Sequence, residues 1–291
     1  MRRAFQEWKV VMSAIDRLIE GSIDVHVHFG PDPLVERRAD AMETAQRAKE
    51  MGMRGLVLKS HQYSTAPLAY AVSRIVPGLE VMGGLCLDVE VGGLNPMAVE
   101  ATARLGGKVV WMPTFSAEAD RKRHGVGGGI ALIDEQGHLR PEVYSILETV
   151  KHYDLVLATG HISPRESMTL VEQANQLGLN RIVVTHASHI YHWAGMTVEQ
   201  MKRMAEMGAL IEHCAFVMHP LRLNMSAKDL AAMIREIGAE NCVFSTDYGQ
   251  DFSPIAPEGF RMGIAALLEQ GLEEVEVGLM VKDNPARLLG L

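Results

Sequence analysis

Ile23-Asp-Val-His-Val-His-Phe29 closes the first apolar segment of the chain with two histidines, His26 and His28, spaced two residues apart. In a strand, residues i and i+2 share a face, so the spacing predicts that both imidazoles point the same way. Asp24 falls on that face by the same count and is placed to orient a ligand from behind. Two neutral imidazoles converging from one rigid strand make half of a first-row metal site. Alone, a His-x-His pair fits a polar strand end just as well. Its position in the larger pattern decides more.

Outward from that strand (22–29), strands and helices alternate to the end of the chain. Helix 39–51, stopped by Gly52, leads to strand 54–60. Helix 65–75 leads to strand 79–87, and helix 95–105 to strand 108–114. Residues 117–140 break the rhythm with a polar, Gly-rich insertion, in which 130–139 reads as a small β-hairpin turning near Gly137. The alternation resumes with helix 141–152, strand 154–160, helix 164–178, strand 181–185, helix 197–207, strand 209–215, helix 226–237 and strand 242–247. Helical stretches 256–270 and 273–289 close the chain. Before the first strand, Val10, Val11, Ala14, Ile15, Leu18 and Ile19 are spaced as on an amphipathic helix.

Eight strands alternating with eight helices in 291 residues predict a single (β/α)8 TIM barrel over residues 1–291, with the hairpin inserted after strand four. A doubly wound open sheet is the alternative. Against it, no Gly-x-Gly-x-x-Gly follows the first strand and no phosphate-loop motif occurs, while Gly127-Gly-Gly129 lies inside the insertion.

A hydrophobic content of 47% supplies an ordinary core, and the formal charge of -8 excludes a general nucleic-acid binder. Charges at Glu7, Lys9, Asp16, Arg17 and Glu20 interrupt any signal-peptide run, and no later run reaches transmembrane length. Cys86, Cys214 and Cys242 are few, odd in number and dispersed, which predicts reduced core thiols, with a functional thiol at Cys214 as the lesser reading. The expectation is a cytoplasmic protein with a small-molecule substrate, no nucleic-acid or membrane partner, and self-association left open.

In barrel enzymes the site lies where the strands end and the βα loops begin. Here strand one ends in His26 and His28, strand two in Lys59 and His61, strand five in Thr159-Gly-His161, strand six in Thr185-His186, and strand eight in Ser245-Thr-Asp247. Taken singly, His161 reads as a helix cap, His186 as part of a polar loop with His189 and His192, and Asp247 as a turn residue. Five strand ends carrying such groups together is not a pattern that chance readily produces.

That set resembles the amidohydrolase superfamily. The resemblance rests on "DVHVHF" with His26 and His28, "LATGH" with His161, "IVVTH" with His186, "FSTDYG" with Asp247, and the closing Asn284-Pro-Ala-Arg-Leu-Leu-Gly290. It spans residue 22 to the end, and "VVWMPT" and the "GPDP" loop point to a little-characterised branch. It implies a (β/α)8 barrel and a divalent metal, Zn2+ first, as one or two ions held by His26, His28, His161, His186 and Asp247. Binuclear members carry a carboxylated lysine at the end of strand four. Here that strand ends in Trp111-Met-Pro-Thr114, and Lys108 at its start lies about 15–20 Å from the strand's other end.

Lys59 shares a face with Val57 and His61. It reads as a partner for a substrate carboxylate or phosphate, as an unusual carboxylated bridge, or as an outward residue packed between barrel and helices. Zinc held by His26, His28 and His161 would lower the pKa of a bound water from near 16 toward about 7. Asp247 would then act as the catalytic base, and His186 would hold a second metal or, protonated, polarise the substrate oxygen. Lys59, His61 and Arg165 are the candidate substrate contacts. Arg121-Lys-Arg-His124 reads as a solvated face or an anion contact, and the insertion as a lid.

The leading expectation is metal-dependent hydrolysis of an amide, lactone, ester or phosphoester of a small anionic substrate. A metal-dependent decarboxylase is the second reading, and a barrel that binds metal without turnover is the third.

Overall fold

Short apolar runs form eight strands: β1 Ile23–Val27, β2 Gly55–Leu58, β3 Glu80–Cys86, β4 Val109–Trp111, β5 Val156–Ala158, β6 Ile182–Val184, β7 Leu210–Cys214 and β8 Cys242–Ser245. The computed structural model describes residues 13–189, 195–221 and 225–291. All neighbouring strands pair in parallel in the order β1 to β8. The ring is drawn shut just beyond β8, where the His28 amide donates to the Tyr248 carbonyl at 2.8 Å and the Asp247 amide to the His26 carbonyl at 3.0 Å. The architecture is the expected (β/α)8 barrel.

Period-two alternation sorts the strand residues into two apolar layers. Val57, Met82, Val109, Trp111, Val156, Ala158, Val183, Leu210 and Val243 fill the barrel. Leu56, Leu58, Val110, Leu157, Ile182, Val184, Ile211 and Phe244 pack outward against the helices. Leu288 and Leu289 of the C-terminal helix join the inner layer. Asn284, from the closing motif, donates to the carbonyls of Ala239 (2.9 Å) and Cys242 (2.7 Å), which ties that helix to the start of β8.

β1 departs from simple alternation. Ile23 and Val25 lie in the inner layer, Val27 and Phe29 in the outer one, and pairing with β2 slips between Asp24 and Val27. The slip corrects the expectation that Asp24 shares a face with both histidines, because a bulge shifts which side chains face inward. The Asp24 carboxylate instead accepts from the His26 amide (3.2 Å) and from the amide (3.1 Å) and hydroxyl (2.6 Å) of Thr246. It thus supports His26 through the backbone.

The hairpin expected at 130–139 is not confirmed. One antiparallel bridge joins Ile133 to Leu139 around a turn at Asp134–Gly137, and no strands flank it. Two backbone bonds flank the bridge, from the Asp134 amide to the His138 carbonyl (2.9 Å) and from the Arg140 amide to the Leu132 carbonyl (2.8 Å), but the Leu132 amide is taken by Glu166 at 2.8 Å and the pairing goes no further. The insertion begins instead with a short helix, Glu118–Arg123.

Residues 13–19 are helical, with Ala14, Ile15, Leu18 and Ile19 buried; Glu7, Lys9, Val10 and Val11 fall outside the described residues. Among the described residues no helix is long and apolar enough to cross a membrane.

Candidate metal centre

Strand ends bring the site together. His26 and His28 leave β1, Lys59 and His61 follow β2, His161 follows β5, His186 follows β6, and Asp247 follows β8; all seven are buried. His186 and Asp247 hold left-handed backbone conformations, with φ of +30° and +56°. Non-glycine residues adopt that region at a cost and cluster where function fixes a side chain.

The tightest grouping is His26, His28 and Asp247. Asp247 Oδ1 lies 3.1 Å from His26 Nε2 and 3.2 Å from His28 Nε2. In a tetrahedral zinc site with bonds of about 2.0–2.1 Å, neighbouring donor atoms stand about 3.4 Å apart. Two imidazole nitrogens and one carboxylate oxygen at that spacing fit a first-row divalent ion. The His186 ring stands 5.9 Å from that of His26 and 4.9 Å from that of His161, which places both beside the triad.

Glu212 completes the support for His26. Its Oε1 lies 3.0 Å from His26 Nδ1, so a donated Nδ1–H turns Nε2 toward Asp247. The same carboxylate accepts from the Ser245 hydroxyl (2.8 Å) and the His186 amide (2.8 Å). One buried acid therefore links the ends of β1, β6, β7 and β8. An acidic residue inside the apolar run Ala209-Leu-Ile-Glu-His-Cys214 was the available sequence signal for it.

Electrostatics separate the histidines. Burial and Lys59 press the His26 pKa down, but Asp247 and Glu212 outweigh them and raise it to about 9. Burial, then Arg37, pulls His28 well below its ordinary value. Burial also lowers His161, and it takes His61 and His186 well below normal. Against its own burial, Asp247 is held well below the usual carboxylate range by His26 and His28. Lowered values hold His28, His61, His161 and His186 in the neutral form that ligates metals and Asp247 in its ionised form, whereas His26 must give up a proton to bind.

Lys59 faces inward. Its Nζ stands 3.0 Å from His26 Nε2 and 5.4 Å from the centre of the Trp111 ring, with the residue only 1% exposed. Lys108 precedes β4, at the far end of that strand from the mouth. Arg165 is exposed and stands against Gly137 of the insertion, away from the cavity. Arg121 donates to the Gly127 carbonyl, and residues 122–124 are exposed. His189 is buried with its ring 5.6 Å from that of His186, while His192 falls outside the described residues.

A cavity of about 120 Å3 opens over the triad, lined in part by His28, His61, His161 and Asp247. Loops add further walls, among them Arg37, paired with Asp32 at 2.6 Å, and Phe115, stacked on His61 at 3.9 Å. Asp120 of the insertion is buried with Oδ1 3.8 Å from His161 Nδ1.

The three cysteines are free and buried. Burial, then Glu212 and Asp247, raises the Cys214 thiol well above its usual pKa, so it stays protonated and is no nucleophile.

The profile of a family of unknown function, DUF6282, matches residues 21–212. No curated protein matches the sequence. Solved structures share the fold at low identity. The probable dipeptidase PvdM from Pseudomonas aeruginosa aligns with a TM-score of 0.68 at 12% identity, covering 97% of this chain and 98% of that one. An organophosphorus hydrolase from Deinococcus radiodurans gives 0.62 at 16%, covering 95% and 94%. A 2,6-dihydroxybenzoate decarboxylase from Rhizobium gives 0.60 at 14%, covering 93% and 99%. All three share the barrel fold with this chain.

Proposed function

The chain belongs to the family of unknown function DUF6282, and we propose that its barrel mouth carries metal-dependent hydrolysis of an amide, lactone, ester or phosphoester in a small anionic substrate. The observation that carries this reading is the placement of Asp247 Oδ1 at 3.1 and 3.2 Å from the Nε2 atoms of His26 and His28. His26, His28 and Asp247 would hold a divalent ion, zinc by the chemistry of the donors, with His161 and His186 completing one site or building a second. Once bound, such an ion supplies Lewis acidity that activates water and polarises the scissile oxygen.

The protein's own groups supply the rest. Asp247 accepts a proton from the attacking water and passes it to the leaving group. His186, held neutral by burial, suits coordination better than donation of positive charge. Glu212 fixes the ring of His26. Lys59 Nζ, 3.0 Å from His26 Nε2, would meet an anionic group of a substrate seated at the triad, and the cavity of about 120 Å3 restricts that substrate to a compact molecule. Three free buried cysteines support a cytoplasmic setting.

A second reading, metal-dependent decarboxylation, draws on the same Lys59, because a carboxylate held beside the ion is what a decarboxylase would cleave. Metal analysis of protein purified without chelator, followed by a screen of lactones, amides, phosphoesters and carboxylic acids on zinc-loaded enzyme, tests both. We expect one or two equivalents of metal and turnover of a hydrolysable ester or amide. No metal would end both readings, and carbon dioxide release without hydrolysis would select the second.

A further inference from the structure

Beside the triad lies a second buried chain of polar groups, contributed by the ends of β2, β3 and β4. Asp88 Oδ1 accepts from the amides of Thr114 and Ser116, both at 2.8 Å, and Asp88 Oδ2 accepts from the Thr114 hydroxyl. Thr114 Oγ1 also meets His61 Nδ1 at 2.6 Å. The three residues are at most 3% exposed.

A carboxylate that receives three hydrogen bonds is the acceptor in each, so the Thr114 proton points at Asp88. Only a lone pair of Thr114 Oγ1 then remains for His61. His61 must donate through Nδ1–H, and its Nε2 becomes the acceptor. The ring lines the cavity, sandwiched between Phe115 at 3.9 Å and His28 at 4.9 Å, which restrains a ring flip, and the other tautomer would leave Nδ1 without the hydrogen it donates to Thr114. His61, Cys86 and Asp88 also have donor atoms close enough together to suggest a metal group. The saturation of Asp88 by three donors argues for the relay.

We propose that His61 is a specificity-determining hydrogen-bond acceptor, locked by Asp88 and Thr114 as positioning residues, and that the cavity takes a compact anion carrying a hydroxyl or amide N–H donor. The ligand class rests on the reading of this cavity as a substrate site; the tautomer does not. A site built to accept a hydrogen bond discriminates against the analogue that lacks the donor.

The test uses the zinc-loaded full chain with 15N-labelled histidine, the His61 signals being assigned by their loss in His61→Phe. Nitrogen chemical shifts should report neutral Nδ1–H in the wild type and in Thr114→Ser, and a mixture of tautomers in Thr114→Val. An Nε2–H tautomer or an imidazolium in the wild type overturns the relay, as does an unchanged Thr114→Val spectrum. For the ligand, glycolate should bind at least about tenfold more tightly than methoxyacetate to the wild type, with the ratio near one in His61→Phe. Equal binding, no binding of either, or a preference that survives in His61→Phe overturns the acceptor role. A relay and a donor preference in a protein that turns nothing over would leave this inference standing and remove only the hydrolase reading.

Discussion

Glu212 on β7 stands 3.0 Å from Nδ1 of His26 on β1, reaching past the intervening strand β8. A carboxylate behind a ligating imidazole fixes its tautomer, orients the ring and raises its basicity, and loss of such a partner typically costs 10–100-fold in metal affinity. Glu212→Gln keeps one acceptor oxygen for the His186 amide and turns its NH2 toward the Ser245 hydroxyl and His26 Nδ1, so the shape is preserved while the acceptor behind His26 is lost. Competition against a chelator should show zinc affinity about 10–100-fold weaker, with an unchanged far-ultraviolet dichroism spectrum. Wild-type affinity in the variant would separate Glu212 from the metal centre.

Asp247 occupies a left-handed backbone conformation with φ of +56°, which asparagine tolerates better than other residues do. Asp247→Asn therefore tests the carboxylate chemistry with little backbone penalty. The amide oxygen keeps one donor for a metal but cannot take a proton. We expect most of the metal to be retained and kcat on the substrate found by screening to fall by about 10²–10⁴. Undiminished turnover would remove Asp247 as the base.

His26→Ala deletes a donor that also meets Glu212 and Asp247. Metal content should drop. Because an ion that binds only the folded state stabilises it by mass action, the zinc-induced rise in Tm should shrink with it. A variant with full metal content would refute the assignment of His26 as a ligand.

Much of this site was legible because the fold converts sequence position into spatial position. Once strands alternate with helices, every strand end lies at one rim, and His26, His28, Lys59, His61, His161, His186 and Asp247 were all read from strand ends. Glu212 was missed because it sits within an apolar strand that carries no ligand spacing at its end. Arg37 and Phe115 reach the site from loops and Asp120 from the short helix of the insertion, and the paths of these segments are set by tertiary contacts that periodicity does not encode. The slip in β1 moved Asp24 off the expected face, since counting by twos assumes an unbroken ladder. The insertion looked like a hairpin from its alternation and central glycine, yet Glu166 captured the Leu132 amide that a ladder would have used.

Gly249 touches the site from behind. At φ of +149°, a Cβ there would stand 2.3 Å from the His28 carbonyl oxygen and 2.6 Å from its Cβ. Gly249→Ala must displace His28, and it should lower metal content and cost about 1–3 kcal/mol of stability. Gly208, with φ of +90° and nothing within 4 Å of where an alanine methyl would stand, is the control. Gly208→Ala should lose stability through backbone strain alone and keep its metal. Equal metal loss in both variants would mean that general destabilisation, and not the push on His28, empties the centre.

His213 gives the acid limb of stability a testable origin. It alternates with Glu212 on β7, so it faces the helix layer, and burial lowers its pKa to about 4. Above pH 6.5, the ordinary histidine value, it is neutral both folded and unfolded and contributes no pH dependence. Below that, the unfolded chain takes up a proton that the folded protein refuses, so stability falls as pH drops from about 6.5 toward 4. The full shift corresponds to about 3 kcal/mol. His28, His61, His161 and His186 are also kept neutral by burial and add their own slopes, so the wild-type curve alone identifies no single residue. The difference between wild type and His213→Leu does, when both are unfolded by urea in chelator across that range. The variant should lose less stability on acidification, with the gap opening below pH 6.5 and flattening near 4. Parallel curves would show that the folded protein accommodates a charged His213, and burial on β7 would then not be what limits its tolerance of acid.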